Sequence, residues 1–275
     1  MSLIDWLELT PRDGTASAQR TEAPATAHDG QGYLRAAERL RNEGSLQAAL
    51  DLYEKAVSFD ETLFDAWTGL VDTLVRVDDL KRAGEVAEHA SRSYGRTRTL
   101  YAAQALVYCH TGDMTNAMRY SDVSVEQGTP SWYSFFVRGE IILAQSRDRR
   151  QLKSVRACFQ RAIDLAACRW AALLWQGIVY LERDCPALAA ASIKEAAHRN
   201  LRNPFIWVKL GDACAELDMP DQARFYYEQA LDVAPEHPVA AAMLQKLQSS
   251  PARMLSSFID EKILRKHWKD EFGIR

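Results

Sequence analysis

Cys109 and His110 stand side by side, the nearest approach in this chain to a thiol nucleophile and its base. Such a pair works only when the two side chains converge on one reacting atom. Consecutive residues on a helix project about 100° apart, so the two diverge and read as independent side chains rather than a dyad. No other constellation takes their place. The chain holds no G-x-x-x-x-G-K-[ST] phosphate loop, no G-x-S-x-G elbow and no H-E-x-x-H zinc helix. His89, His198 and His237 stand singly and read as surface or turn residues. The five cysteines, Cys109, Cys158, Cys168, Cys185 and Cys214, form no C-x-x-C pair; four fall in predicted helices and read as small core residues. No catalytic residue, metal site or cofactor is expected. The cluster Arg147, Arg149, Arg150, Lys153 and Arg156 has the charge to meet phosphate. No aromatic rings interleave with it to stack bases, so it reads as a solvated loop, and nucleic acid is not the expected partner. A net charge of −3 adds no global pull toward nucleic acid or membrane.

The elements that carry these residues repeat. An opening slot recurs at Tyr33, Trp67, Tyr101 and Phe135, each 34 residues after the last. It then steps by 38 to Leu173, and by 34 to Trp207 and Ala241. Each unit reads as two antiparallel helices, A and B; in the first, helix A runs near Tyr33–Glu43, Gly44 turns the chain, and helix B carries Ala49, Tyr53 and Ala56. Small residues recur on helix A at Ala37, Val71, Ala105, Gly139, Gly177 and Gly211. On helix B they recur at Ala49, Ala83, Ala117, Val155, Ala189 and Ala223, and again at Ala56, Ala90, Ser124, Ala162, Ala196 and Ala230. A small residue at a helix crossing lets two backbones approach while a neighbouring ring fills the space beside it. Ala87 and Ser121 stand where helix B otherwise carries a large side chain, so the second and third units are expected to pack more loosely. Four extra residues fall between the helices of the fourth unit, near Gln145–Lys153.

The sixth unit states the pattern most fully, with Trp207, Leu210 and Gly211, then Ala223, Tyr227, Ala230 and Pro235. This resembles the tetratricopeptide repeat, whose signature is W-x2-L-G-x2-Y, then A-x3-F, then P. The resemblance runs over residues 31–237 and implies an all-α, right-handed superhelical solenoid of six helix–turn–helix repeats. Their approximate bounds are 31–64, 65–98, 99–132, 133–170, 171–204 and 205–237.

Beyond the array, residues 238–250 continue the phase as a capping helix, broken at Ser249-Ser250-Pro251. Residues 251–275 read as a further helix with Met254, Leu255, Phe258, Ile259 and Ile263 near one face. It is either an extended cap folded back on the array or a partner-binding element. Its basic residues Lys262, Arg265, Lys266 and Lys269 are offset by Asp260, Glu261, Asp270 and Glu271, against a membrane-surface helix. Residues 1–30 form an arm. Its stretch 10–30, rich in Thr, Ala, Gly and Pro, reads as a flexible linker. Before it, Leu3, Ile4, Trp6 and Leu7 make segment 2–9 amphipathic, though too short for a stable lone helix. The segment is either a cap on the first repeat or a docking peptide, for a partner or for this protein's own groove. A coil of that linker's length spans ~25 Å, enough to reach the first repeats. The start lacks the basic region and apolar core of a secretory signal, and no apolar run approaches the ~20 residues of a membrane span. A soluble, cytoplasmic protein is expected.

In proteins of this family helix A lines a concave face where ligands lie. Carried over by register, that face holds Leu106, Tyr133, Phe136, Glu140, Leu174, Ile178, Phe205 and Asp212, with Glu38, Asp72 and Arg76 toward its start. An apolar middle with carboxylates at its ends suits a peptide or helix with apolar anchors and basic flanks. Phe136 and Phe205 would wall it and Glu140 would set polarity; alternatively these residues are core in a tightly wound superhelix. The positions that grip a chaperone's terminal carboxylate in co-chaperone members hold Leu34, Glu38, Gly69, Thr99 and Ala103 here, so no dicarboxylate clamp is expected. The expected function is a non-enzymatic adaptor or chaperone-like scaffold for a protein partner, with its arm able to occlude the groove. The alternative is a fixed accessory subunit of a larger assembly, held through the arm and the carboxy-terminal helix.

Overall fold

The computed structural model describes residues 29–94, 97–126, 131–145, 148–249, 269 and 271–272. The helices, in order, are α1 (Gly30–Asn42), α2 (Leu46–Phe59), α3 (Phe64–Arg76), α4 (Leu80–Tyr94), α5 (Arg98–His110), α6 (Met114–Glu126) and α7 (Trp132–Gln145). They continue as α8 (Arg149–Leu165), α9 (Arg169–Glu182), α10 (Pro186–Arg199), α11 (Pro204–Glu216), α12 (Pro220–Val233) and α13 (Pro238–Ser249). No strand occurs among the described residues. The architecture is an all-α repeat solenoid. Two compact units divide the chain, the first ending at Leu165 and the second beginning at Ala166. Within each, an odd-numbered helix A packs on the following helix B, and B packs on the next A. The α3–α4 pair is the most thinly packed of the six, at the unit where Ala87 replaces a large side chain; the α5–α6 pair, with Ser121, comes next and is only slightly thinner than the rest. Ser121 is buried and takes a hydrogen bond from Arg138 Nη1 at 3.3 Å.

One backbone feature repeats with the register. Gly44, Asp78, Gly112, Asp184 and Asp218 have φ of 82°, 63°, 87°, 56° and 56°, and each stands at the same offset from its unit's opening slot. The turn from A to B needs a left-handed residue just past helix A. Glycine takes it without a Cβ clash, and aspartate is among the few side chains that tolerate it. The next amide then closes back on helix A: Ser45 N–H on the Leu40 carbonyl at 2.9 Å, Asp79 on Leu74 at 3.0 Å, Cys185 on Tyr180 at 2.8 Å and Met219 on Cys214 at 3.0 Å. Five of the six B helices start in one of two ways. Asp79, Asp113 and Asp148 accept from the N–H of Arg82, Asn116 and Gln151 at 3.2, 3.0 and 2.8 Å. Pro186 and Pro220 instead open α10 and α12, where an amide N–H would have no helical partner.

The small A-helix residues sit at close crossings. A Cβ on Gly211 would lie 2.5 Å from Tyr227 Cε1, and one on Gly139 would lie 3.0 Å from the Phe159 ring. One on Gly177 would collide with Ile193. Trp67 and Trp207 are buried at the opening slot, and each indole N–H reaches the carbonyl six residues earlier, Glu61 and Leu201, at 2.9 Å.

The extra residues of the fourth unit do not make a loop. Asp148 caps a long α8 of 17 residues, so Arg149, Arg150, Lys153 and Arg156 stand on that helix, with Lys153 and Arg156 exposed; this corrects the solvated-loop reading. Arg147 lies outside the described residues, as do Leu3, Ile4, Trp6 and Leu7 of the arm and the apolar residues Met254 to Ile263 of the tail.

Candidate functional site

The A helices of the first unit carry a seam of buried charge. Asp72 on α3 pairs with Arg41 on α1 and lies 3.7 Å from Arg76 Nη2 one turn along α3. Arg76 then grips Glu140 on α7 with two parallel bonds, Nη1 to Oε1 at 3.0 Å and Nη2 to Oε2 at 2.6 Å. His110 Nε2 on α5 donates to the same carboxylate at 2.7 Å. The side chains of Asp72, Arg76 and Glu140 are each at most 2% exposed. Helices α3 and α7 belong to repeats two apart with α5 between them. Axes of packed helices lie about 8–10 Å apart, so side chains of α3 and α7 meet only because the A-helix layer curls inward.

Burial opposes the charge on each of these groups, and their partners overcome it. Burial resists ionisation of Glu140, but Arg76 and the hydrogen bonds from His110 and Arg76 hold its carboxyl well below the usual carboxylate range. Burial would likewise weaken Arg41, yet Asp72 beside it holds the guanidinium above its ordinary value. Burial first, with Asp72 second, pushes the Tyr133 hydroxyl well above its ordinary value. That hydroxyl is buried without a hydrogen-bond partner.

The seam places the sequence-derived residues of the first unit. Leu106, Tyr133, Phe136 and Glu140 are all buried, at 0, 5, 2 and 0% exposure. Phe136 packs on Phe159 at 5.3 Å and Trp132 at 6.0 Å between ring centres. These side chains therefore fill a closed inner layer in this conformation. His110 is engaged by Glu140, and neighbouring Cys109 is buried. Arg41 was missed in the sequence. Its signal is a cation at a register position that holds Val75, Cys109 and Leu143 in the next three units.

In the second unit Leu174 and Ile178 are buried, at 0 and 7% exposure. Phe205 and Asp212 on α11 stay half-exposed. Lys209 joins them: its Nζ lies 5.5 Å from the Phe205 ring centre and donates to Asp212 at 2.8 Å. Tyr227 donates its hydroxyl to the other Asp212 oxygen at 2.9 Å. An open cleft of about 490 Å³ lies in the first unit between α4, α5 and α6. Glu88, Arg92, Tyr101, Gln104, Arg119 and Tyr120 line it, and the Arg119 guanidinium covers the Tyr120 ring at 5.1 Å. No group of metal-ligating side chains occurs among the described residues.

The tetratricopeptide-repeat family model matches residues 204–237. These are the Trp207, Gly211 and Tyr227 crossing described above; the glycine crossing recurs at Gly139 and Gly177, and the left-handed turn at Gly44, Asp78, Gly112 and Asp184. Residues 204–237 are a tetratricopeptide repeat. Solved structures similar to it include TTC0263 from Thermus thermophilus, at 19% identity and a TM-score of 0.46, over 80% of this chain and 98% of that one. The peptide-binding repeat protein YrrB is similar at 18% identity and a TM-score of 0.37, over 79% and 92%. In the Cut9–Hcn1 hetero-tetramer the match has 15% identity and a TM-score of 0.47, and covers 80% of this chain but only 43% of that chain. No curated protein matches the sequence.

A tetratricopeptide-repeat array is a scaffold for protein–protein interaction. It binds by presenting surfaces of stacked helix pairs, each unit touching only its neighbours. Among the described residues no helix is long and apolar enough to cross a membrane. Here the A-helix layer of the first unit is closed by its own ion pairs, while α11, in the matched repeat, offers a half-exposed ring flanked by a lysine and a carboxylate.

Proposed function

We propose that this protein is a non-enzymatic adaptor that holds a segment of a partner protein against its A helices. The reading rests on the Phe205–Lys209–Asp212 stripe. Of the eight groove residues derived from the sequence, Phe205 and Asp212 alone are not buried, and Lys209 ties them into one polar-rimmed apolar patch. A helix or extended segment with an apolar anchor over Phe205 fits that chemistry. Leu106, Tyr133, Phe136, Glu140, Leu174 and Ile178 serve as the stiff layers of their own units rather than as partner contacts. The setting is cytoplasmic, in keeping with five cysteines that are all thiols.

A quantitative pull-down from native extract tests it, with the wild type, Phe205→Ala/Lys209→Ala and a chain lacking residues 1–30, each first shown to be folded. The adaptor reading expects a partner lost from the α11 variant alone. Loss from the arm deletion alone refutes it in favour of a fixed accessory subunit gripped through Leu3, Ile4, Trp6 and Leu7. Greater capture by the arm deletion is the result expected of an arm that occludes the binding face.

A further inference from the structure

Near its end the chain returns to the second unit. Phe272 is 6% exposed. Its ring stacks on His198 of α10 at 4.7 Å between centres, meets Trp207 of α11 edge-on at 4.9 Å and lies 6.1 Å from Tyr226 of α12. The residue before it, Glu271, pairs with Lys194, one turn before His198 on α10. Three aromatic walls and a lysine on the rim thus receive an acidic residue followed by phenylalanine.

The slot is built by the repeats themselves. Trp207 is fixed at its own register position with its N–H on the Leu201 carbonyl, and it stacks on Tyr226 at 6.1 Å. Neither arrangement uses the tail. His198 is exposed on the outer wall, so the slot has an open side. Among the described residues Phe272 supplies the tail's apolar contact, and Lys194 and Glu271 keep 38% and 27% of their side chains exposed, which leaves their pairing weak.

We infer that Lys194, His198, Trp207 and Tyr226 form a peptide-docking slot for a helical segment with an acidic residue directly before a phenylalanine. The chain's own Glu271–Phe272 fills it at rest. A partner bearing that pair competes with the tail, so the tail sets the threshold for docking. This surface lies apart from the α11 stripe and stands whether or not that stripe binds a partner.

The test uses full-length chains and a fluorescein-labelled synthetic peptide of residues 262–275, read by anisotropy. Phe272→Ala, whose own tail has lost its anchor, should bind the peptide saturably. Wild type should bind at least about tenfold more weakly, because covalent linkage holds its own tail at an effective concentration on the order of millimolar. A peptide carrying F272A should bind neither chain, while one carrying E271Q should lose only a few-fold. Circular dichroism checks that Phe272→Ala is folded. Glu271→Lys, which keeps the ring, supplies a second chain expected to bind between the two. Equal binding to wild type and both variants, or no binding to any folded chain at millimolar peptide, overturns the inference. Dimerisation of wild type that Phe272→Ala abolishes also overturns it, since the tail would then belong in the slot of a second copy.

Discussion

Glu140 supplies the sharpest test of the seam, because the buried charges can be added up. Arg41, Asp72, Arg76 and Glu140 sum to zero when His110 is neutral. Glu140→Met leaves a net positive charge inside the first unit, and Arg76→Met leaves a net negative one. Breaking a buried pair from one side costs about 3–5 kcal/mol, since the surviving charge remains desolvated. The double variant Arg76→Met/Glu140→Met keeps only Arg41 opposite Asp72 and is again neutral. It should recover most of the loss, ending up less destabilised than either single variant rather than by their sum. At a urea slope of about 2 kcal/mol per molar, each single variant should lower the unfolding midpoint by roughly 1.5–2.5 M. Urea titration followed by far-UV circular dichroism reads this directly. An unchanged midpoint for Glu140→Met, or single losses that simply add in the double variant, would refute the seam. The first outcome would also return Glu140 to the role of a partner contact, since a surface carboxylate can be removed at little cost to stability.

Four further outcomes follow from the fold. Gly211→Leu should cost about 1–3 kcal/mol by driving a side chain into the Tyr227 ring. Gly112→Ala should cost about 1–2 kcal/mol from its φ of +87° alone, because no atom lies within 4 Å of the added Cβ; equal midpoints for wild type and either variant in thermal melts would undo the register. Stability should fall at both pH extremes. Glu140, depressed in the fold, stabilises above its ordinary value of 4.5 and loses that contribution as pH drops below it. Tyr133, raised in the fold, stabilises below its ordinary value of 10.0 and loses that contribution as pH climbs past it. Tyr133→Phe should make the alkaline limb shallower, with Tyr53, Tyr94, Tyr108, Tyr226 and Tyr227 supplying the rest, and leave neutral stability equal or up to about 1 kcal/mol higher, because it deletes a hydroxyl without a hydrogen bond. Iodoacetamide in mildly alkaline buffer should label exposed Cys168 on the folded chain and spare Cys214, whose thiol burial pushes up to about 11; rapid labelling of Cys214 would contradict its packing.

The register was legible because it is written in residue size and turn chemistry. Gly211 opposite Tyr227 and Asp78 or Gly44 past helix A are local requirements, and local requirements leave a trace at fixed spacing. The curl of the A-helix layer is not local. Phe136 would be equally apolar on the floor of an open groove or inside a closed layer, and only the spacing of α3, α5 and α7 decides which. Arg41 at an otherwise apolar position was the one visible sign of closure, and it gains meaning only opposite Asp72, from another repeat. Likewise nothing periodic marks Phe272. It belongs to no repeat, and its slot is assembled from three different helices.

The carboxylates at one register position, Glu38, Asp72, Glu140 and Asp212, invited a basic ligand when read as sequence. Three of them are already answered within the fold: Asp72 by Arg41 and Arg76, Glu140 by Arg76 and His110, Asp212 by Lys209 and Tyr227. A lysine or arginine from a partner would have to displace an existing cation at each. It would exchange one ion pair for another while shedding its own hydration, a trade that gains little. Glu38 is exposed, but Arg35 and Arg39 are exposed beside it on α1. Acidity at these register positions therefore cannot supply most of the binding energy. The proposed recognition therefore relies on apolar anchors meeting fixed aromatic surfaces, with charge setting orientation. Both proposed surfaces have that form, since Phe205 carries Lys209 at its edge and the Phe272 slot carries Lys194 at its rim.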